Sequence, residues 1–99
     1  MKIAVTYQDG DIFQHFGHTE FFKIYDIENT DIVKTEIVST NGSGHGALAQ
    51  FLHEHSVDTL ICGGIGGGAQ MALSQAGIKL YGGVTGKADD AVNDLLNNK

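Results

Sequence analysis

Residues 59–70, Thr-Leu-Ile-Cys-Gly-Gly-Ile-Gly-Gly-Gly-Ala-Gln, form an apolar run that breaks into five glycines within six residues. The run predicts a short central strand covered on both faces, because its side chains lack polar alternation. The glycines predict a tight turn, after which Met71 to Ala76 have helical spacing. Cys62 ends the strand, at the edge where open α/β sheets bind ligands. This segment therefore predicts an α/β fold and the place of its functional site.

The remaining sequence predicts four more strands and two more helices. Alternating or continuous apolar residues indicate strands at residues 2–7, 20–27, 32–40 and 78–81. Helical spacing indicates one helix that ends near residue 56 and one that includes residues 88–96. The short turn between the second and third strands implies an antiparallel hairpin. The element order βββαβαβα predicts a mixed five-stranded sheet with helices packed on it and the first strand at its centre.

Length and charge limit the classes of protein to which the chain can belong. Ninety-nine residues suffice for a single domain spanning residues 1–99. The formal net charge is −6 and every basic side chain is a lysine, which argues against nucleic acid as a partner. One cysteine excludes an internal disulfide and suits a reducing cytoplasm, and no signal peptide is evident. No apolar run approaches the roughly 20 residues of a membrane span, so we expect a cytoplasmic protein, monomeric or weakly dimeric.

Cys62 and three of the five histidines are the candidate metal ligands. The helix start after Cys62 would lower the pKa of its thiol, although a lone cysteine that ends a strand is also often a buried small hydrophobic residue. His45 stands between two glycines at a predicted helix start, and His15 and His18 lie three residues apart after the first strand. This set is too sparse for a self-contained iron–sulfur cluster or a structural zinc site. The set of candidate ligands fits better with a preassembled metal–sulfur cluster, which the protein would hold through one to three ligands and then pass on.

Three motifs resemble, in the same order, those of the dinitrogenase iron–molybdenum cofactor biosynthesis family: His15-Phe16-Gly17, Gly44-His45-Gly46 and the run from Cys62 to Ala69. The resemblance spans nearly the whole chain. It implies a ribonuclease-H-like three-layer fold and the binding or carriage of an iron–sulfur or iron–molybdenum–sulfur cluster, and we expect no catalysis. Proteins that donate and accept the metal–sulfur cluster would be the partners.

The same resemblance assigns residues to the site. By position, His15, His45 and Cys62 are ligand candidates, and His18 is either a ligand or a contact to an anion. The other residues expected to line the metal–sulfur cluster are aromatic or glycine positions of the motifs: Phe16, Gly17, Gly44, Gly46, Gly63, Gly64, Gly66, Gly67 and Gly68. We expect the glycine amides from Gly63 to Gly68 to donate hydrogen bonds to cluster sulfides or to an anionic ligand.

Three other functions fit parts of the sequence. Residues Gly64 to Ala69 match the G-x-G-x-x-G/A pattern of nucleotide-binding loops, but they follow the fourth strand and no acid for a ribose stands after the fifth. Cys62 with His45 as its base would make a nucleophilic enzyme, without an evident residue to orient the histidine. Exposed Phe13 and Phe16 would suit a metal-free module for protein interaction or regulation.

Overall fold

A computed structural model describes residues 1–42 and 45–97 of the chain. The strands are β1 (Lys2–Gln8), β2 (Asp11–Ile12), β3 (Phe21–Glu28), β4 (Asp31–Ser39), β5 (Thr59–Ile61) and β6 (Lys79–Tyr81). The helices are α1 (His45–Glu54), α2 (Gly67–Gln75) and α3 (Ala88–Asn97), and a single 3-10 turn covers Phe16–His18. The order of the main elements is the predicted one.

One mixed sheet in the order β4-β3-β1-β5-β6 forms the centre of the protein. As predicted, β1 is central: it runs antiparallel to β3 and parallel to β5, which is in turn parallel to β6. The carboxyl ends of β1 and β5 therefore meet at the same edge. The prediction of five strands was wrong by one, because the two-residue β2 pairs with the end of β1. Two residues are too few to show an alternating pattern.

The sheet separates two apolar cores because its side chains alternate between its faces. On one face, the side chains of β1, β3 and β5 pack against α1 and α2: Ala4, Phe22, Ile24, Leu48, Leu52, Leu60 and Leu73. On the other face they pack against α3: Ile3, Val5, Tyr25, Ile61, Val92 and Leu96. The result is a three-layer α/β arrangement. In the described chain, no helix is long and apolar enough to cross a membrane.

A polar contact attaches the start of α3 to β3. The Asp89 carboxylate accepts hydrogen bonds from the Lys23 ammonium at 2.8 Å and the Tyr25 hydroxyl at 2.5 Å. The hydrogen bonds from Lys23 and then Tyr25 lower the pKa of Asp89. Burial, followed by the contact with Asp89, raises the pKa of Tyr25. The carboxylate thus stays ionised, which keeps α3 in a defined position on the sheet.

Candidate functional site

The chain after β2 is hydrogen-bonded to the glycine turn after β5. The Gly64 amide donates to the Gln14 carbonyl at 2.8 Å, and the Phe16 amide donates to the Gly64 carbonyl at 3.0 Å. His15 and Gly64 thereby form an isolated parallel bridge. The His15 side chain is exposed at this point. The sheet edge therefore holds an accessible imidazole directly beside the turn that follows Cys62.

This close approach requires glycine at two positions of the turn. A Cβ atom on Gly63 would lie 2.5 Å from Gln14 Cδ and 2.8 Å from Gln14 Cα. A Cβ atom on Gly64 would lie 2.8 Å from the Gln14 carbonyl oxygen. The Gly64 amide already donates to that carbonyl, so it does not serve a ligand in this arrangement. The close packing of the turn after β5 against the loop that contains Gln14 therefore explains why residues 63 and 64 are glycines.

The glycines that follow form a different surface. Gly66 is the N-cap residue of α2 and has no side chain that caps the helix, and the first helical bond runs from the Gln70 amide to the Gly66 carbonyl at 3.1 Å. The amides of Gly67, Gly68 and Ala69 consequently have no partner within the helix. Gly66, Gly67 and Gly68 are exposed. Backbone amides at a helix start attract anions, so this part of the turn fits the predicted role of donor to a negatively charged ligand.

Cys62 lies in the core and not on the edge surface. Its side chain is fully buried. Two backbone hydrogen bonds hold the residue in place: the Cys62 amide donates to the Tyr81 carbonyl and the Val84 amide donates to the Cys62 carbonyl, each at 3.0 Å. Burial raises the pKa of the Cys62 thiol to about 11. The expected lowering of this pKa by the helix start was wrong, because desolvation dominates at the position of the sulfur. In this structure Cys62 is a small apolar core residue.

We expect the native Cys62 thiol to react with iodoacetamide at pH 8 at least about 100-fold more slowly than free cysteine. With a pKa of about 11, on the order of 0.1% is thiolate at pH 8, against roughly a quarter for an unperturbed thiol. Mass spectrometry at timed intervals measures the rate, and the same protein in concentrated urea is the control. Fast labelling of the folded protein would contradict this prediction and favour the nucleophilic enzyme.

Phe16 is also buried. Its side chain is 2% exposed and packs in the core beside Phe22, with 6.4 Å between the ring centroids. The expectation of an exposed Phe16 was therefore wrong, whereas Phe13 is partly exposed. The 3-10 turn begins at Phe16, and the Thr19 hydroxyl donates to its carbonyl at 2.6 Å. The buried Phe16 side chain anchors the loop to the core. Its burial explains the presence of an aromatic residue at this position without any contact to a ligand.

The exposed side of this loop carries histidines. His15 and His18 are both exposed, and the His18 amide donates to the His15 carbonyl at 2.9 Å. Gly17, between them, is partly exposed. The loop thus presents imidazoles outward while Phe16 fills the core. His55 is different: its Nδ1 lies 2.9 Å from the Phe51 carbonyl, which fits a structural role.

The second predicted motif, Gly44-His45-Gly46, lies largely outside the described structure. Gly44 is not among the described residues, and His45 and Gly46 are described only as the first backbone positions of α1. Their assigned roles stay predictions. Among the side chains that the structure describes, those of residues 1–42 and 47–97, no three of His, Cys, Asp or Glu form a group that could hold a metal ion.

Gln14 is the site residue that sequence reasoning missed. Its side-chain amide donates to the Ile12 carbonyl at 3.0 Å and to the Val84 carbonyl at 3.2 Å, while its own carbonyl accepts from Gly64. It connects three loops at the sheet edge. No local pattern marks such a residue, because all but one of its contacts are with residues distant in sequence.

An open groove of about 360 Å³ is lined in part by Asp9, Asp11, Phe13 and His15. The Asp11 carboxylate pairs with the Lys87 ammonium at 3.1 Å. The carboxylates of Asp9 and Asp11 together make this groove unfavourable for an anion. The exposed amides that begin α2 are a more favourable place for an anionic ligand.

Comparison with known proteins matches this architecture to one family. A family model described as dinitrogenase iron-molybdenum cofactor matches residues 1–98. An uncharacterized protein of Methanocaldococcus jannaschii, MJ0580, is 31% identical over 104 residues, covering 100% of this chain and 88% of the relative.

Solved structures share the fold. The crystal structure of PH0822 has a TM-score of 0.94 and 28% identity, covering 100% of this chain and 91% of that one. The apo form of the orange protein from Desulfovibrio gigas has a TM-score of 0.84 and 28% identity, covering 97% of this chain and 87% of that one. The match thus extends over whole chains and not over a single motif.

Proposed function

We propose, since the chain belongs to the dinitrogenase iron-molybdenum cofactor family, that it binds and carries an iron–sulfur or iron–molybdenum–sulfur cluster or its precursor without catalysing a reaction. Its partners would be the proteins that donate and accept this cargo, in the cytoplasm. The observation that carries the proposal is the His15–Gly64 bridge, which sets an exposed imidazole beside the turn that leads to the uncapped start of α2. We also propose that the α/β fold is of the ribonuclease-H-like class, which the central position of β1 supports.

The chemistry of this edge suits an anionic cargo. The exposed His15 imidazole is a ligand for iron that needs no rearrangement of the core. The amides of Gly67, Gly68 and Ala69 would donate hydrogen bonds to sulfide or to an anionic group of the cargo. The net charge of −6 makes such fixed dipoles important, because few cationic side chains are present to offset the cargo's charge. His18 would add a second imidazole at the rim.

Burial ranks Cys62 behind His15 as a ligand. A thiol must lose its proton to bind a metal, and at neutral pH the raised pKa keeps the Cys62 thiol protonated. Binding through sulfur would require the end of β5 to open. We therefore propose that His15 makes the first contact with the cargo. Cys62 and His45 would become ligands only after His15 has bound the cargo.

The test is an anaerobic transfer. The apo-protein is mixed with an iron–sulfur or iron–molybdenum–sulfur cluster donor and desalted, and the retained iron, molybdenum, sulfide and visible spectrum are measured. We expect the wild type to retain cargo and His15→Ala to retain at least about tenfold less, as for the loss of a ligand. His53→Ala is the matched control, because His53 is exposed on α1 outside the site and should retain as much as the wild type.

The same experiment separates the remaining candidates. Equal retention by Cys62→Ala and wild type would remove Cys62 from the ligand set, and His45→Ala tests the position whose side chain is not described. Failure of the folded wild type to retain any cargo would overturn the carrier proposal. The metal-free interaction module would then take its place, favoured by a groove of about 350 Å³ lined by Tyr7, Phe13, Phe21 and Ile37 among others.

A further inference from the structure

β4 is an outer strand of the sheet with a long accessible edge. It extends over nine residues, and in the described part of the chain it pairs only with β3. Most of its side chains are exposed, including Val33 at 54% and Ile37 at 53%. An outer strand of this length with exposed apolar side chains is a template for pairing with another strand.

The hydrogen-bond direction along β4 follows from its pairing with β3. The Thr40 amide donates to the Glu20 carbonyl at 2.9 Å, and the register continues as Phe21 opposite Ser39 and Tyr25 opposite Thr35. Hydrogen-bonded pairs alternate along an antiparallel ladder. Even-numbered residues from position 34 to 38 therefore direct their amides and carbonyls to β3. The backbone groups of Thr35 and Ile37 point to the outer edge, where a second strand would meet them.

The sequence of this edge is complementary to itself. When two copies of β4 pair antiparallel about a two-fold axis at Thr35, Lys34 of each copy faces Glu36 of the other. Opposite charges across a strand pair stabilise it, and like charges directly opposite destabilise it.

Neighbouring symmetric registers lack this match. An axis at Glu36 would place that carboxylate against its own copy, and an axis at Lys34 would do the same with two ammonium groups. An axis at Ile37 would set Glu36 against the apolar Val38. The axis at Thr35 is also one where the outward backbone groups of both copies form a hydrogen-bonded pair. Axes at Lys34 and Glu36 would also pair outward backbone groups, residue 33 with 35 or residue 35 with 37, so the charges are what select the axis at Thr35.

We propose that the protein forms a homodimer by antiparallel pairing of β4 with β4 of a second copy, centred on Thr35, so that the two sheets become one. A second copy is the occupant because the pattern Lys34-Thr35-Glu36 is its own complement under a two-fold axis. The register of β4 with β3 shifts at Asp26 and Ile27, which confines the regular edge to the part beyond Val33. A short strand pair buries little surface, so the dimer is expected to be weak and concentration-dependent.

The test uses charge reversal and sedimentation equilibrium of the full chain. Wild type is measured from about 10 µM to 1 mM, a range that covers weak dissociation constants. Lys34→Glu and Glu36→Lys each place like charges opposite one another in both symmetric pairs. We expect each variant to raise the dissociation constant at least about tenfold. Mixing the two variants restores both opposite-charge pairs, so the mixture should dimerise as the wild type does.

Lys79→Glu is the matched control, because Lys79 is exposed on β6 at the other edge of the sheet and the substitution changes the net charge equally. It should leave the dimer unchanged, and circular dichroism confirms that each variant is folded. A wild type that stays monomeric over the whole range overturns the proposal. So does a dimer that neither reversal weakens, or a mixture that fails to restore association. None of these outcomes bears on cargo retention, which the anaerobic transfer measures separately.

Discussion

Phe16→Ala is expected to lower the free energy of unfolding by about 3–5 kcal/mol, as is usual when a buried phenylalanine is truncated. Phe16 is 2% exposed and packs beside Phe22 in the core under α1 and α2. Truncation would leave a cavity and also release the loop that carries His15. Urea unfolding followed by circular dichroism measures the change.

Phe13→Ala is the control for this variant. Phe13 belongs to the same loop but is partly exposed, so its truncation should cost well under half as much. A loss for Phe16→Ala no larger than that of Phe13→Ala would contradict the anchoring role. Phe16→Leu distinguishes an anchor from a ligand contact: it keeps an apolar side chain in the core, and we expect it to retain cargo as the wild type does.

Gly63→Ala is expected to lower the free energy of unfolding by about 1–3 kcal/mol or more, the cost of overpacking a closely packed position. The new methyl group would lie 2.8 Å from Gln14 Cα, which a side-chain rotation alone cannot relieve. The loop of His15 and the turn after Cys62 must therefore separate. Urea unfolding measures the loss, and Gly68→Ala is the matched control. A Cβ at Gly68 meets no atom within 4 Å, and alanine favours the helix by up to about 1 kcal/mol.

A double variant shows how much of this cost comes from the Gln14 side chain. Gln14→Ala removes the Cδ atom that the new methyl would meet but leaves Cα in place. We expect Gly63→Ala to remain destabilising in the Gln14→Ala background, by a smaller amount. If Gly63→Ala is neutral in the wild-type background, the two loops are not as closely packed as the structure has them.

The fold class was predictable because its signals are local. The alternation of Ile3, Val5 and Tyr7 with the residues between them is sufficient to mark a strand, and the short turn between β3 and β4 allows only a hairpin. The lack of polar alternation from Thr59 to Cys62 indicated a central strand, which β5 is. Each of these patterns involves residues that are close together in the chain, so it can be recognised from one sequence alone.

The chemistry of the site depended on contacts between distant segments. Cys62 directly follows β5, close to where the sequence placed it, but only the packing of the sheet on its helices decides that its sulfur is buried and that its pKa rises. The glycines of one motif likewise divide into Gly63 and Gly64, which pack against Gln14, and Gly66 to Gly68, which are exposed. The sequence by itself determined the order of elements, the central position of β1 and the shared edge of the sheet at which β1 and β5 end. Burial, desolvation and the meeting of loops were decided by the tertiary structure, because they depend on residues far apart in the chain.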